Sequence, residues 1–260
     1  MENSKINRVL GEILRKVEES VQARKRKGLF FKPFWDYTLI DAVSYLEERD
    51  FVVIAELKRA SPSKGELVKN WNPIKLAETY EKNKAGAISV LTEEHFFWGS
   101  LEYLAAVREV VSLPLLRKDF IIDPVQVEEA KAFGADWVLL IGEVLEERRL
   151  KELLKVAKDL GLSCLVEVHE VETLKKVLEC GANFIGINNR NLKTLEVNTN
   201  RAKELFKLIP KEIPVIAESG YSTPEEIREL KKLGFKGVLI GTSLVTSKDP
   251  GKKLKELVEA

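Results

Sequence analysis

At 260 residues, 45% of them hydrophobic, the chain can form one large domain or two small ones around a substantial core. Charged residues reach 32%, but 42 Lys and Arg balance 41 Asp and Glu, which argues against a basic face for nucleic acid or an anionic membrane. The two cysteines, Cys164 and Cys180, point to a reducing cytoplasmic setting rather than a disulfide framework; Met1-Glu2-Asn3-Ser4-Lys5 lacks the apolar run of a signal peptide, and no apolar stretch reaches transmembrane length.

Residues 5–27 place Ile6, Val9, Leu10, Ile13, Leu14 and Val17 at helical spacing, which predicts an amphipathic helix. Arg24-Lys25-Arg26-Lys27 closes it, where positive charge suits the carbonyl end and a solvated terminus is expected. A second short helix is read over 38–48. Strands are then read at 51–57, 86–91, 114–118, 136–141, 162–167, 183–188, 213–218 and 236–240. Helices are read at 73–84, 100–111, 124–133, 146–160, 170–179, 200–208, 223–233 and 249–258. Eight strands alternating with eight helices over about 200 residues predict an α/β fold of the closed (β/α)8 kind. An open doubly wound sheet is the weaker alternative, because no dinucleotide-type glycine fingerprint follows the first strand. Residues 1–260 read as a single barrel domain, with 1–50 as its helical N-terminal extension. Gly86, Gly134, Gly181 and Gly234 each follow a helix and precede an even-numbered strand, as C-caps with positive φ would. Abundant Lys and Glu with a single Met point to adaptation to heat.

The functional signal lies where strands end. In Phe51-Val52-Val53-Ile54-Ala55-Glu56-Leu57-Lys58, alternation puts Val52, Ile54, Glu56 and Lys58 on one face. Burying a carboxylate and an ammonium there is costly and needs a reason. Ser61-Pro62-Ser63-Lys64-Gly65 then stops the strand and reads as a loop. The third strand puts Leu116, Lys118 and Phe120 on one face, the fifth Leu165 and Glu167. The seventh ends in Glu218, and the sixth contributes Asn188 with Arg190 just beyond. In a barrel these strand ends converge on one mouth, the position of the active site. Charges gathered so closely shift one another's protonation and suit acid–base catalysis. Ser219-Gly220 after the seventh strand and Gly241-Thr242-Ser243 after the eighth, before a short helical turn, fit a phosphate site built from backbone N–H groups. The only histidines, His95 and His169, form no metal-spaced set with the cysteines, so no metal is expected. Cys164 falls one residue off the inward register and reads as core. Phe96-Phe97-Trp98-Gly99 is open to two readings, an aromatic wall for a planar ligand or plain loop packing.

Ile54-Ala55-Glu56-Leu57-Lys58-Arg59-Ala60-Ser61-Pro62-Ser63-Lys64-Gly65 resembles the signature of the indole-3-glycerol-phosphate synthase family. The likeness continues in Leu91-Thr92-Glu93, Phe97-Trp98-Gly99-Ser100, Lys118-Asp119-Phe120-Ile121-Ile122-Asp123-Pro124, Leu139-Leu140-Ile141 and Glu167-Val168-His169. It runs on through Gly186-Ile187-Asn188-Asn189-Arg190-Asn191-Leu192, Glu218-Ser219-Gly220 and Gly241-Thr242-Ser243. The resemblance implies a lyase of tryptophan biosynthesis. Its phosphorylated small-molecule substrate would be 1-(2-carboxyphenylamino)-1-deoxyribulose 5-phosphate, closed to indole-3-glycerol phosphate with loss of CO2 and water and with no cofactor. It implies Lys118 as the general acid at the ketone oxygen and Glu167 as the acid/base for later proton movement. Lys58 would lie near phosphate and ketose oxygens; Glu56, Asn188 and Glu218 would hold substrate hydroxyls and the lysines. Arg190 would meet the anthranilate carboxylate, while Phe97, Phe120, Leu139 and Ile240 would surround the ring. Ser61, Ser219, Gly220, Gly241 and Thr242 would form the phosphate subsite.

The chain departs from the family pattern at Trp98, Tyr221 and Gly142-Glu143, the last interrupting a normally more apolar exit from the fourth strand. Two rivals stand beside this reading. Phosphoribosylanthranilate isomerase shares the fold but would carry Cys at the end of the first strand, where this chain has Glu56-Leu57-Lys58. A catalytically silent phosphate-binding barrel would have lost at least one charged strand end. The sequence is compatible with a monomer.

Overall fold

The computed structural model describes residues 2–28, 32–191 and 194–260, with side chains from residue 8 onward; the Ile6 side chain and Leu192, both named above, lie outside the described residues. In chain order the elements are α1 (Glu2–Lys27), α2 (Ala42–Glu47), β1 (Val52–Leu57), β2 (Ala60–Ser61), β3 (Gly65–Glu66), α3 (Pro73–Lys82), β4 (Ala87–Leu91), α4 (Leu101–Arg108), β5 (Leu115–Lys118) and α5 (Pro124–Ala132). They continue as β6 (Trp137–Ile141), α6 (Glu147–Leu160), β7 (Ser163–Val168), α7 (Val171–Glu179), β8 (Ile185–Asn188), α8 (Asn200–Phe206), β9 (Val215–Glu218), α9 (Pro224–Leu233), β10 (Gly237–Ile240), α10 (Thr242–Val245) and α11 (Pro250–Val258). Strands β1 and β4–β10 close into a parallel barrel, β10 pairing back onto β1 with Val52 opposite Gly237.

Side-chain alternation divides the apolar residues into two cores. Val53, Ala55, Ile88, Val90, Leu115, Val138 and Val166 face outward and pack with the helices. Val52, Ile54, Leu116, Trp137, Leu139, Leu165, Phe184, Ile216 and Leu239 fill the barrel interior. Four helices start with a side-chain cap followed by proline, at Asn72-Pro73, Asp123-Pro124, Thr223-Pro224 and Asp249-Pro250. The cap satisfies an orphan N–H, and proline occupies the position that needs none.

The N-terminal extension serves both ends of the barrel. Ala42 and Leu46 of α2 join the interior core from below, and Tyr45 donates its hydroxyl to the Gly86 carbonyl at 2.6 Å. Ile13, Val17 and Val21 of α1 pack instead on Phe96, Phe97, Phe120, Ile122 and Val125, at the other end. The basic end of α1 is not simply solvated as expected. Arg24 pairs with Glu129 at 3.0 Å and Lys25 with Asp123 at 3.0 Å, tying the helix to α5.

Two local expectations change. Gly134, Gly181 and Gly234 have φ of 88°, 89° and 98°, as helix C-caps. Gly86 does not; Lys84 takes the left-handed position at φ 65°, and Gly86 is instead confined by Val52, whose Cβ a new side chain would approach to 2.6 Å. The segment after β1 is not a bare loop either. Ala60 pairs with Glu66 and Ser61 with Gly65 in a small antiparallel hairpin, which Gly65 turns at φ 63°.

Candidate active site

The inward register that fills the barrel with Val52, Ile54, Leu116 and Leu165 delivers charge one step further along the same strands. Glu56 and Lys58 form an ion pair of 2.7 Å at the exit of β1. Lys118 Nζ, at the end of β5, lies 3.1 Å from Glu167 Oε2 of β7 and 3.7 Å from Glu218 Oε2 of β9. Asn188 ends β8, and its Oδ1 accepts the backbone N–H of Arg190 at 2.9 Å. Two glycines make room for the carboxylates: a Cβ on Gly186 would collide with Glu218 Oε1, and one on Gly241 with Glu56 Oε2.

The protonation states follow from this crowding. Burial opposes the charge on Lys118, but Glu167, Glu218 and Glu56 together outweigh it and hold the ammonium above its ordinary range. Burial also opposes ionisation of Glu167; the charge of Lys118 above all, then the His169 ring beside it and contacts with Asn188 and Glu218, overcome it and pull the carboxyl down. Glu218 goes the other way. Burial raises it, repulsion from Glu167 adds to that, and Lys118 only partly compensates. Two neighbouring carboxyls pushed apart in this way differ in proton affinity, Glu167 being the more readily ionised and Glu218 the more readily protonated.

These side chains line a cavity of about 500 Å³ at the C-terminal mouth. Every site residue expected from the sequence reaches it: Glu56, Lys58, Ser61, Phe97, Lys118, Phe120, Leu139, Glu167, Asn188, Arg190, Glu218, Ser219, Gly220, Ile240, Gly241 and Thr242. Phe97 and Phe120 stand with ring centres 6.4 Å apart, so the aromatic segment after β4 contributes a wall. Glu93 sets that wall by accepting the N–H groups of His95, Phe96 and Phe97 at 3.0, 2.8 and 3.0 Å. Trp98 is outside the cavity lining; it is 40% exposed and lies under the Arg59 guanidinium. Ser219 and Gly220 are both left-handed, at φ 64° and 91°. Cys164 is buried in the outer core, as its register implied.

Several participants were not anticipated. Val9, Leu10 and Ile13 of α1 line the cavity, a contact between elements far apart in sequence. Arg117, fully buried, braces the strand end that carries Lys118. It donates to Thr92 Oγ1 at 3.1 Å and the Gln126 carbonyl at 2.6 Å, and pairs with Asp119 at 2.9 Å and Glu129 at 3.2 Å. Glu143, just after β6, accepts the backbone N–H of His169 at 2.7 Å and lies 2.9 Å from its Nδ1. Among the described residues no group of three or more His, Cys, Asp or Glu is arranged to hold a metal ion, and no helix is long and apolar enough to cross a membrane.

A parallel (β/α)8 barrel with an ammonium set among carboxylates at its C-terminal mouth is a barrel enzyme of acid–base chemistry. Residues 8–257 match the family described as indole-3-glycerol phosphate synthase. A relative of that name from Campylobacter jejuni is 44% identical over 258 residues, covering 96% of this chain and 100% of the relative. Another from Aquifex aeolicus is 50% identical over 250 residues, covering 95% and 92%. The chain belongs to the indole-3-glycerol phosphate synthase family. The crystal structure of KGPDC from Streptococcus mutans superposes with a TM-score of 0.64 at 13% identity over 80% of this chain and 96% of that one, a likeness of fold. The family match sets aside the isomerase and the silent barrel.

Proposed function

We propose that this enzyme catalyses the decarboxylating, dehydrating ring closure of 1-(2-carboxyphenylamino)-1-deoxyribulose 5-phosphate to indole-3-glycerol phosphate, a step of tryptophan biosynthesis, in the cytoplasm, as a single barrel unit with residues 1–50 as its extension. The observation that carries the mechanism is Lys118 held charged among Glu167, Glu218 and Glu56 within one cavity.

Lys118 protonates the ketone oxygen as the ring carbon bearing the carboxylate attacks, since a developing alkoxide favours a fixed ammonium. CO2 then leaves in place of a ring proton. Dehydration needs a second proton on the departing hydroxyl and a base for the adjacent C–H. Glu167, the ionised member of the carboxyl pair, is placed to be that base, and Lys58 or Lys118 the acid. Arg190 meets the anthranilate carboxylate, Phe97, Phe120, Leu139 and Ile240 enclose the ring, and Glu56, Asn188 and Glu218 hold hydroxyls and lysines. Ser61, Ser219, Gly220, Gly241 and Thr242 take the phosphate.

The test is turnover of the carboxyphenylamino substrate, followed by indole fluorescence, with a chelator present. Product formation at an undiminished rate is expected. No product, or product only when a metal is restored, overturns the reading. A dephosphorylated substrate should lose kcat as well as affinity, because remote binding energy supports the chemical step; equal kcat/KM for the two substrates would remove the phosphate subsite.

A further inference from the structure

His169 and Glu143 have no part in the reaction as derived, and neither lines the substrate cavity. Yet they are built against its base. The His169 ring is 5% exposed, with Nδ1 held at 2.9 Å by Glu143 and Nε2 lying 3.4 Å from Glu167 Oε1. The imidazole stands between two carboxyl groups, Nδ1 toward Glu143 Oε2 and Nε2–H toward Glu167 Oε1. That buried Nε2 has no hydrogen-bond partner in the resting site. A buried polar atom without a partner has a reason to be there. Glu143 is the outer member, its side chain 19% exposed to solvent.

The chemistry needs such a connection. Ring closure takes up one proton at the ketone oxygen and one at the departing hydroxyl, and returns one from the C–H. With the substrate carboxylate leaving as neutral CO2, each turnover consumes one proton net. The substrate fills the mouth through which solvent would otherwise deliver it.

We propose that Glu143 and His169 form a proton-feed line to Glu167, entering from solvent outside the substrate cavity. The inference rests on the proposed reaction. Glu143 takes a proton from solvent and passes it to Nδ1, so that the ring holds a hydrogen on each nitrogen and Nδ1–H donates back to the Glu143 carboxylate. Nε2–H then transfers its proton to Glu167 Oε1 after a small rotation closes the 3.4 Å gap. Glu167 in turn restores the ammonium of Lys118 through Oε2, 3.1 Å away. The ring is left with its hydrogen on Nδ1 and returns to the Nε2–H form by exchange with water once product has left the mouth; no bond other than N–H and O–H changes and no electrons are transferred. The groups facing this line are Lys118 from β5, Asn188 from β8 and Glu218 from β9 on the Glu167 side. On the outer side stands Lys176 from α7, which donates to the Gly142 and Leu145 carbonyls at 2.7 and 2.9 Å. His169 and Glu143 are thus positioning residues that act through Glu167.

The test uses the full chain with His169→Gln, which keeps a donor near Glu167 but cannot accept and pass on a proton, and with Glu143→Gln. In each, kcat should fall about tenfold or more while KM stays within about threefold, as for loss of a step rather than of binding. The lost rate should return as imidazole buffer is raised at constant ionic strength and pH, an effect wild type does not show. A kcat equal to wild type, or a lowered kcat indifferent to buffer, overturns the feed line and leaves His169 a packing residue. Should His169→Gln fail to fold, Glu143→Gln at the solvent end decides by the same readout. Wild type run in the same assay separates the two levels: no indole from wild type overturns the reaction itself, whereas buffer-indifferent variants beside an active wild type overturn only the line.

Discussion

The two ends of this barrel both bury charge, and they do so differently. At the N-terminal end Asp136 accepts from Arg108 at 3.0 Å, from the Leu115 N–H at 2.8 Å and from the Ile40 N–H at 2.9 Å. Arg108 is spent as well, on Asp136 and the Val111 and Leu113 carbonyls, with the Tyr37 ring beneath it. At the mouth Glu218 Oε1 and His169 Nε2 are buried without hydrogen-bond partners, and Lys118 serves two carboxylates at unequal distance. Charge that is fully bonded joins segments of the chain; charge left partly unbonded in a cavity is kept for a substrate. Completeness of hydrogen bonding therefore separates the two uses where burial does not.

The largest effect that separates the ends belongs to Lys118. Lys118→Ala should lower kcat by about 10²–10⁴. The chain should still fold, because Glu167 and Glu218 line the cavity, where water and protons can compensate the charge that Lys118 leaves behind. A variant that keeps more than about a third of wild-type kcat would be incompatible with an acid positioned there.

The opposite result is expected at the other end. Asp136→Ala leaves Arg108 and two N–H groups buried without their acceptor and should cost about 3–5 kcal/mol of stability by urea unfolding. The kcat of the folded fraction at low temperature should match wild type, because nothing at that end reaches the cavity. A stability loss below about 1 kcal/mol would show that the chain relaxes around the arginine, and would weaken the distinction between the ends.

This contrast also explains what the sequence revealed. Strand period is local, so alternation alone assigned Glu56, Lys118, Glu167 and Glu218 to the interior, and barrel geometry brought them together. The cap-and-proline starts of α3, α5, α9 and α11 are local as well. The residues missed depend on pairs distant in sequence. Leu10 reaches the cavity only because α1 packs on Phe97 and Phe120. Arg117 carries an ordinary outward register, and its value as a brace comes from Glu129 and Gln126 on the next helix. In the sequence His169 shows only a lack of metal-ligand spacing and a place in the motif Glu167-Val168-His169; its partner Glu143 is 26 residues away. Gly86 shows the limit of pattern within a motif, for its place in the helix–glycine–strand rhythm implied a left-handed cap while Val52 is what excludes a side chain.

The smallest effect tests the claim that the mouth is electrostatically loaded, and it lies in the pH dependence of stability. Glu218 is raised well above its ordinary 4.5, chiefly by burial and then by Glu167. A group whose folded pKa exceeds its unfolded value supports the fold fully below the unfolded pKa and loses that support as pH rises through the folded one. Wild type therefore holds a proton at Glu218 that the unfolded chain has already released above the ordinary carboxylate range, and its stability declines with pH on this account. Glu167, pulled down, has the opposite sign: its contribution is present at neutral pH and is lost only in acid. Glu218→Gln removes the first dependence and leaves the second, with shape and hydrogen-bonding capacity nearly kept. Relative to wild type, the variant should gain stability as pH is raised from about 4.5 through neutrality, with the difference levelling once Glu218 has ionised in the wild type. Urea midpoints for both proteins across that range would measure it. A difference that does not change with pH would mean that Lys118 holds Glu218 as an ordinary carboxylate, and that both ends of the barrel bury their charge in the same way.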